Sequence, residues 1–503
     1  MKKLKATRVI SQIFFFLLVA AAFTVLTFPI KFIDTKEFFL TSPSLLIFSE
    51  ISAVYLTKGM AVLLIFIIIA FLFGRVFCGW ICPFGAVMDF FVFLLKPLRK
   101  YKESKPDKKL MIKYYALAVF AVLAVLGYQF VWIFEPITVF SRFFHLSLFP
   151  FFNAVTDKFF QYIIMNHDFG ENIYYAISNN IFSARSISFK YSFAFFVLFM
   201  IPLLAAAFRR RFWCRYICPL GASLGILSVN PKFALRKKAC SSDCGRCEQI
   251  CRSNAIKHDG SYISSECVMC MDCTILKCYK PIENKKPCQK EIVQNSGLCQ
   301  RQNKGISRKQ FFLWISGAVA AIYVLVRKAY AASHFSKNSV IRPPGAMKEK
   351  EFKAACVRCG NCMKACITNG LQPVMFESGF DGIWTPKIDN ITGYCEYNCN
   401  ACGQVCPTQA IKALTPEEKL KQKLGKADIV KNVCVPWKDG IECLVCEEHC
   451  PVAEKAIKFV KEIINGKETD VPIVDADLCI GCGVCENKCP VEGRKRGITV
   501  NPI

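Results

Sequence analysis

The sequence predicts an α-helical membrane domain, with four spans plus a tether span, joined to small α+β domains rich in cysteine. The chain has 503 residues, of which 53% are hydrophobic, and its mean hydropathy is +0.32 although its formal net charge is +27. Apolar runs alternate with basic flanks in the first half, as is typical of proteins that cross a membrane several times. The chain also contains 30 cysteines in short, repeated spacings, which indicate metal-binding or redox domains.

Four apolar runs approach the length of about 20 residues that crosses a bilayer. They are Val9–Phe28, Met60–Phe77, Tyr114–Phe134 and Tyr191–Phe208. Basic clusters precede the first run, separate the second from the third and follow the fourth, where they consist of Arg209, Arg210, Arg211 and Arg215. By the positive-inside rule these clusters are cytoplasmic, which predicts that residues 30–58 and 135–190 lie outside.

A shorter apolar run, Phe312–Val326, follows the stretch ISRKQFFLW at 306–314. That stretch resembles a twin-arginine export signal in which Lys309 replaces the second arginine, and it also fits an ordinary basic flank before a fifth span. Both interpretations place the chain after Val326 outside the cytoplasm. Ala329-Tyr330-Ala331 resembles a signal-peptidase site, so cleavage of the tether remains open.

The chain therefore divides into four segments. Residues 1–231 are expected to form the membrane domain, 232–306 a cytoplasmic cysteine-rich domain with a linker, 307–339 the tether, and 340–503 a cysteine-rich domain in the periplasm. We expect a multi-pass protein of the inner (cytoplasmic) membrane. The basic residues lie beside apolar runs, so the positive charge indicates a membrane partner and no nucleic acid.

Two cysteine quartets in 232–306 approximate the C-x2-C-x2-C-x3-C run of bacterial ferredoxins. Three close cysteines of such a run turn towards one cubane, while the fourth points away and reaches the partner cluster. The spacing thus predicts a ferredoxin-like domain with two 4Fe-4S clusters. One would lie on Cys240, Cys244, Cys247 and Cys278, and the other on Cys267, Cys270, Cys273 and Cys251.

Four further quartets follow the tether and predict four more clusters, six in total. They are Cys356, Cys359, Cys362, Cys366; Cys395, Cys399, Cys402, Cys406; Cys434, Cys443, Cys446, Cys450; and Cys479, Cys482, Cys485, Cys489. Fourth cysteines could be exchanged between neighbouring quartets or in a nested order, and we favour the nested order. Structural zinc and disulfides are the alternatives, but neither commonly repeats a three-plus-one run. Cys288 and Cys299 are expected to be spare linker thiols.

Two copies of a Cys-x3-Cys-Pro motif lie where apolar runs end, as FCGWICPFG at 77–85 and FWCRYICPLG at 212–221. One pair of cysteines cannot hold a cubane alone, but the two copies together could form a shared four-thiolate site for a cluster or metal. Its ligands would be Cys78, Cys82, Cys214 and Cys218. Two redox-active dithiols are an alternative, although x3 is not their usual spacing. A third interpretation is two buried pairs that turn the chain at Pro83 and Pro219.

Other redox cofactors find little support in the sequence. There is no C-x-x-C-H motif, and none of the five histidines falls within the four apolar runs, which excludes a dihaem cytochrome. No G-x-G-x-x-G follows a strand pattern, so neither NAD nor flavin is predicted. Glu135 and His145 could accept protons from a quinol, but they also fit ordinary interfacial polar residues. The catalytic residues are therefore unknown from the sequence.

These motifs resemble two known families of iron–sulfur proteins. Residues 1–306 resemble the NapH-type ferredoxin, the membrane quinol-dehydrogenase subunit of periplasmic nitrate reductase systems. Residues 307–503 resemble the NapG-type ferredoxin, its exported partner, so the chain looks like a fusion of the two. Paired Cys-x3-Cys-Pro motifs also occur in the regulator of nitrous-oxide reductase and in a ferredoxin for copper-oxidase assembly.

The resemblance implies a quinol-oxidising oxidoreductase subunit that takes electrons from the quinone pool. It would relay them through its clusters to a periplasmic reductase or a small electron carrier. The rival hypothesis is an accessory or maturation ferredoxin that reduces a metal or disulfide in a partner oxidase or reductase. Four clusters in the last domain suit a continuous relay better than occasional repair.

Overall fold

The protein is described by a computed structural model that covers residues 2–24, 60–95, 111–166, 187–229, 231–237, 246–256, 262–275, 279–283, 340–493 and 495–503. These residues form two compact units. The first contains 2–20, 60–95, 111–140, 198–229, 231–237, 246–256, 262–275 and 279–283. The second contains 21–24, 141–166, 187–197, 340–493 and 495–503.

The described residues before Val229 fold into helices. The α-helices are Lys2–Thr24, Met60–Phe73, Val76–Trp80, Pro83–Leu94, Ile112–Val125, Pro136–Phe143, Phe149–Asn166, Ser192–Phe208, Phe212–Tyr216 and Pro219–Leu227. A 3-10 turn covers Val131–Ile133 and a π-helical turn covers Phe144–Leu148. In each Cys-x3-Cys-Pro motif the second cysteine caps a helix whose first residue is the proline, a position that suits the fixed φ of proline.

The prediction of four membrane spans plus a tether span is wrong for the described part of the chain, because no helix there is both long and apolar enough to cross a bilayer. The helices of the second and third predicted runs end early. Helix Met60–Phe73 has 14 residues and stops where Gly74 adopts a φ of +69°, which gives it a length of about 21 Å. Ile112–Val125 also has 14 residues, and Ser192–Phe208 has 17.

The first helix, Lys2–Thr24, is longer but begins with several basic residues. Its Arg8 and Gln12 side chains are buried against the protein: Arg8 donates to Asp272 at 3.3 Å, and Gln12 donates to the Gly79 carbonyl at 2.9 Å. The predicted tether run, Phe312–Val326, lies outside the described residues. The cytoplasmic and outer positions predicted for the segments of the chain depended on the four spans.

The cysteine-rich segments combine very short helices with paired strands, as the α+β prediction requires. In the first unit, strand Phe233–Lys237 pairs with Tyr279–Glu283 in antiparallel order. In the second unit the antiparallel pairs are Leu371–Pro373 with Pro386–Ile388, Gly425–Ile429 with Ile498–Pro502, and Ile457–Ile464 with Lys467–Val474. The helices of these segments are Arg246–Ile250, Asp272–Ile275, Glu349–Ala355, Asn361–Lys364, Ala401–Gln404, Pro416–Leu420, Val435–Asp439, Val445–Glu448 and Val484–Lys488.

Buried charges hold the first unit together. Glu266 accepts hydrogen bonds from Lys113 Nζ at 2.5 and 2.7 Å and from Arg75 Nη1 at 3.2 Å, and all three side chains are almost inaccessible to water. Burial, followed by the nearby charge of Arg75, lowers the pKa of Lys113 to about 8, and Glu266 opposes that shift. The carboxylate therefore compensates two buried cations at once.

Replacing Glu266 by glutamine should destabilise the first unit by about 3–5 kcal/mol, because it leaves Arg75 and Lys113 as uncompensated buried charges. Denaturant-dependent hydrogen exchange of helix Ile112–Val125 measures this change. The control is Glu468→Gln in the pair Lys461–Glu468, where both side chains are mostly exposed and the loss should stay below about 1 kcal/mol. Equal effects of the two variants would contradict this account.

Candidate metal centres

The first cysteine set of the second unit takes three members from one quartet and the fourth from the next. We call it set A, and it consists of Cys356, Cys359, Cys362 and Cys406. All four side chains are buried. Burial raises the pKa of the Cys359 and Cys362 thiols, and the charges of Cys356 and Cys406 add to that increase at both positions. The four thiols therefore lie close enough to one another to interact electrostatically.

Set B has the reciprocal composition. Cys366, the last cysteine of the first quartet, lines one cavity together with Cys395, Cys399 and Cys402 of the second. Burial raises the pKa of Cys402 to about 12, and the charges of Cys395 and Cys366 are the next causes. The first two quartets thus exchange their fourth cysteines.

The last two quartets make the same exchange. Set C consists of Cys479, Cys482, Cys485 and Cys450, which line one cavity. Set D consists of Cys434, Cys443, Cys446 and Cys489, which line another. The structure therefore pairs neighbouring quartets in 340–503, in contrast to the nested order that we favoured from the sequence.

The local backbone of two quartets depends on a glycine between the second and third cysteine. Gly360 and Gly483 have φ values of +85° and +81°, in the left-handed region that glycine adopts without a steric penalty. Each one precedes a one-turn helix, Asn361–Lys364 or Val484–Lys488, that carries the third cysteine of its quartet. In the fourth quartet, Cys485 lines the same cavity as Cys479 and Cys482, the two cysteines before it.

Sets A to D lie in a linear order. The charge of Cys402 in set B acts on Cys362 in set A. The backbone N–H of Cys395 in set B donates to the carbonyl of Cys482 in set C at 2.9 Å. The charge of Cys446 in set D acts on Cys485 in set C. Each set therefore borders the next.

Set E lies in the first unit and consists of Cys251, Cys267, Cys270 and Cys273. Cys251 lines one cavity with Cys267, Cys270 and Cys273, so the last cysteine of one quartet joins the first three of the other. Cys247 packs against the buried hydrophobic residues around set E. The other three ligands predicted for the second cluster of residues 232–306, Cys240, Cys244 and Cys278, lie outside the described residues, as do Cys288 and Cys299.

The two Cys-x3-Cys-Pro motifs also come together, and we call their four cysteines the repeat site. Cys78, Cys82, Cys214 and Cys218 are all buried. Burial raises the pKa of Cys218 well above its usual range, and the charges of Cys214, Cys78 and Cys82 raise it further. The Gly221 N–H donates to Cys218 Sγ at 3.2 Å.

The predicted proton acceptors lie in two different surroundings. Glu135 is buried in the first unit, where it accepts hydrogen bonds from the N–H of Thr138 at 2.6 Å and from its hydroxyl at 2.9 Å. His145 is buried in the second unit, where its Nδ1 lies 3.2 Å from the carbonyl oxygen of Cys359 in set A. Ser141 Oγ donates to the same carbonyl at 2.9 Å.

Two arginines have roles that the sequence did not reveal. The pattern of basic residues places Arg211 in a membrane flank, yet Arg211 is buried and donates to Asp89 at 3.0 and 2.8 Å. Arg75 is equally buried and was not singled out. Each arginine stands three residues before the first cysteine of its motif, and this shared position in the repeat was the signal that could have identified both.

The arrangement fits iron–sulfur clusters by the chemistry of its donors. Sets B to E each place four cysteine sulfurs around one cavity, and four thiolates are the donor set of a 4Fe-4S cluster. The cysteines of the described residues form no disulfides. Among these residues, no three or more histidine, cysteine or acidic side chains are arranged to hold a single metal ion.

Three protein-family models match parts of the chain. A model described as a 4Fe-4S binding domain matches residues 56–102 and again 191–238, so each match contains one Cys-x3-Cys-Pro motif. A 4Fe-4S dicluster domain matches residues 439–492. The model of NosR matches residues 238–297. The protein thus binds 4Fe-4S clusters.

Curated relatives agree with these matches. The methylamine utilization ferredoxin-type protein MauM of Methylorubrum extorquens is 34% identical over 179 residues, which are 35% of this chain and 79% of that relative. The ferredoxin-type protein NapG of Escherichia coli is 35% identical over 158 residues, 30% of this chain and 67% of that relative. The regulatory protein NosR of Stutzerimonas stutzeri is 27% identical over 232 residues, 44% of this chain and 26% of that relative.

No solved structure matches the chain. The relatives and the cysteine sets agree on the same chemistry, since MauM and NapG are both ferredoxin-type proteins. The chain belongs to the family of ferredoxin-type iron–sulfur electron-transfer proteins that includes MauM and NapG.

Proposed function

We propose that the protein is a multi-cluster relay that oxidises quinol and delivers the electrons to a reductase or a small electron carrier. Each 4Fe-4S cluster, when bound, supplies a one-electron carrier. Six clusters would be held by sets A to E and by the quartet Cys240, Cys244, Cys247 and Cys278. The repeat site would hold a further centre. The observation that carries the proposal is the linear order of sets A to D.

The contacts between neighbouring sets support a relay rather than four independent sites. The 2.9 Å hydrogen bond from Cys395 N–H to the Cys482 carbonyl joins the two halves of residues 340–503 through ligand residues themselves. Within one half the charge of Cys402 acts on Cys362, and within the other half the charge of Cys446 acts on Cys485. Because ligand residues of neighbouring sets interact at every step, carriers held by them would be close neighbours.

The two ends of the order differ in exposure, which supports an assignment of their roles. All cysteines of set A are buried, whereas three of the four in set D are partly exposed. Beside set D, the side chains of Ile441 and Leu444 are 60% and 49% exposed. Exchange with a partner needs an accessible centre, and apolar contacts of this kind suit a transient docking site. Set D is accordingly our candidate for the exit of electrons.

The quinol half of the proposal rests on the resemblance of residues 1–306 to the NapH-type quinol-dehydrogenase subunit. The same resemblance supports a fusion of an electron-accepting segment with a NapG-type relay in one chain. A second candidate function is an accessory ferredoxin that reduces a metal or a disulfide in a partner enzyme. The NosR model at 238–297 favours this second candidate, because the matching relative is a regulatory protein by name.

Paired serine substitutions should reveal which cysteines share a cluster. Cys359→Ser with Cys406→Ser removes two ligands of set A and should cost one cluster's worth of iron and sulfide per chain. Cys359→Ser with Cys366→Ser removes one ligand each from sets A and B and should cost up to twice as much. The measurement is iron and labile sulfide per chain after anaerobic purification.

The same pair of variants has an outcome that would contradict the assignment. If each quartet held its own cluster, Cys359 and Cys366 would belong together and the two losses would be reversed. The nested order would instead place Cys489 with Cys359, so Cys359→Ser with Cys489→Ser serves as the third arm. If neighbouring quartets are paired, this third variant removes one ligand from set A and one from set D.

If the protein oxidises quinol, menadiol should reduce the clusters of the purified full-length protein. The measurement is the loss of visible cluster absorbance under anaerobic conditions, with dithionite as the positive control for complete reduction. Clusters that remain oxidised with menadiol but are reduced by dithionite would refute quinol oxidation. Turnover of a copper or disulfide substrate by the dithionite-reduced protein in that case would support the accessory function.

A further inference from the structure

Two buried arginines connect the Cys-x3-Cys-Pro motifs to each other. Arg75 precedes Cys78 by three residues and donates from Nη2 to the carbonyl of Cys214, in the other motif, at 3.1 Å. Arg211 precedes Cys214 by three residues and donates from Nη1 to the carbonyl of Cys78 at 3.0 Å. Each motif thus supplies the arginine that holds the first cysteine of the other.

The space for these arginines is built into the repeat. A Cβ added at Gly221 would lie 2.6 Å from Arg75 Nη2 and 3.0 Å from the Cys214 carbonyl oxygen. A Cβ added at Gly85, the equivalent position, would lie 2.8 Å from the Cys78 carbonyl oxygen. Glycine at both positions therefore leaves the first cysteine's carbonyl accessible to the arginine of the other motif.

The same arginines also reach the segments that carry set E. Arg75 Nη1 donates to the Ser265 carbonyl at 3.1 Å and to Glu266 Oε2 at 3.2 Å, directly before Cys267. The charge of Arg75 acts on both Cys214 and Cys267. One guanidinium therefore lies beside a cysteine of the repeat site and a cysteine of set E.

Arg211 occupies the equivalent place on the other side. Its bidentate partner Asp89 also pairs with Arg252 at 3.1 Å, and Arg252 pairs with Asp272 at 2.6 Å. Arg252 follows Cys251 and Asp272 precedes Cys273, so this chain of ion pairs ends at two ligands of set E. The charge of Arg211 interacts with both Cys214 and Cys270.

The backbones of the two sites are in direct contact between the arginines. A Cβ added at Gly79 would lie 2.2 Å from the carbonyl oxygen of Val268, so only glycine permits this approach. Trp80 Nε1 donates to the Met269 carbonyl at 3.0 Å. Gly79 follows Cys78 and Val268 follows Cys267, which places the repeat site and set E next to each other within the first unit.

We infer that Arg75 and Arg211 are positioning residues shared by two adjacent centres, the repeat site and set E, and that their charges set the reduction potentials of both. The inference rests on the proposed function, which places a centre in each site. Adding an electron makes a thiolate-ligated centre more negative, and a nearby fixed positive charge favours that state. Guanidinium stays protonated when buried, so both arginines act as fixed charges.

Replacing either arginine by glutamine in the full-length protein should lower the reduction potentials of both the repeat site and set E. Redox titrations followed by electron paramagnetic resonance measure each centre, and the signals of sets A to D should not move. The control is Arg209→Gln, because Arg209 is exposed and its guanidinium donates to the Tyr216 hydroxyl at 3.1 Å. A shift in only one of the two centres, or in neither, would overturn the inference.

Lysine variants separate charge from assembly. Arg75→Lys and Arg211→Lys keep the charge but lose the fork of donors, so both potentials should stay closer to those of the unmodified protein than in the glutamine variants. If the glutamine variants assemble neither centre, the lysine variants decide: the two potentials must change together, and a change in one alone overturns the inference.

A cysteine variant distinguishes failure of this inference from failure of the proposed function. Changing Cys78, Cys82, Cys214 and Cys218 to serine should remove one centre and its iron while set E keeps its signal. An unchanged metal content would remove the repeat site from the proposed function and overturn the inference with it. Loss of that centre, combined with arginine variants that shift only set E, would overturn the shared role alone.

Discussion

A short cysteine loop can turn three thiolates towards one cavity but must take the fourth from elsewhere in the chain. This requirement governs the fold of residues 340–503. Cys406 leaves its own quartet to join set A, and Cys366 crosses in the opposite direction to join set B. The same exchange between Cys450 and Cys489 links sets C and D. Each exchange of a cysteine connects two loops. The short helices and two-stranded sheets of these segments therefore form little hydrophobic core of their own.

The first unit meets the same requirement by a different route. Its Cys-x3-Cys-Pro motifs each supply two thiols, so the four-sulfur site exists only when the repeats meet. Arg75 and Arg211 stabilise the contact between the two repeats by donating hydrogen bonds to the carbonyls of Cys214 and Cys78. Burying these cations is costly unless they are paired, and Glu266 and nearby carboxylates provide the pairing. The ion pairs therefore help to position the cysteines of the first unit.

The sequence allowed the cysteine chemistry to be predicted better than the architecture. Spacing alone predicted that Cys251 would join Cys267 and its neighbours, because a fourth cysteine at a helix start must point away from its own loop. The partners of Cys366 and Cys406 could not be predicted, since nearly equal gaps between quartets permit several exchanges. Hydropathy predicted spans that the described helices do not form. The pattern of basic residues placed Arg211 in a membrane flank. The sequence alone does not show that Arg211 is buried and paired with Asp89.

The central claim is that every four-sulfur set combines cysteines from two separate stretches of the chain. Anomalous diffraction at the iron absorption edge, on anaerobically prepared full-length protein, tests it most directly. The account predicts one iron peak within each of sets A to E and another among Cys78, Cys82, Cys214 and Cys218. Iron centred within single quartets, or a repeat site closed by disulfides, would contradict it.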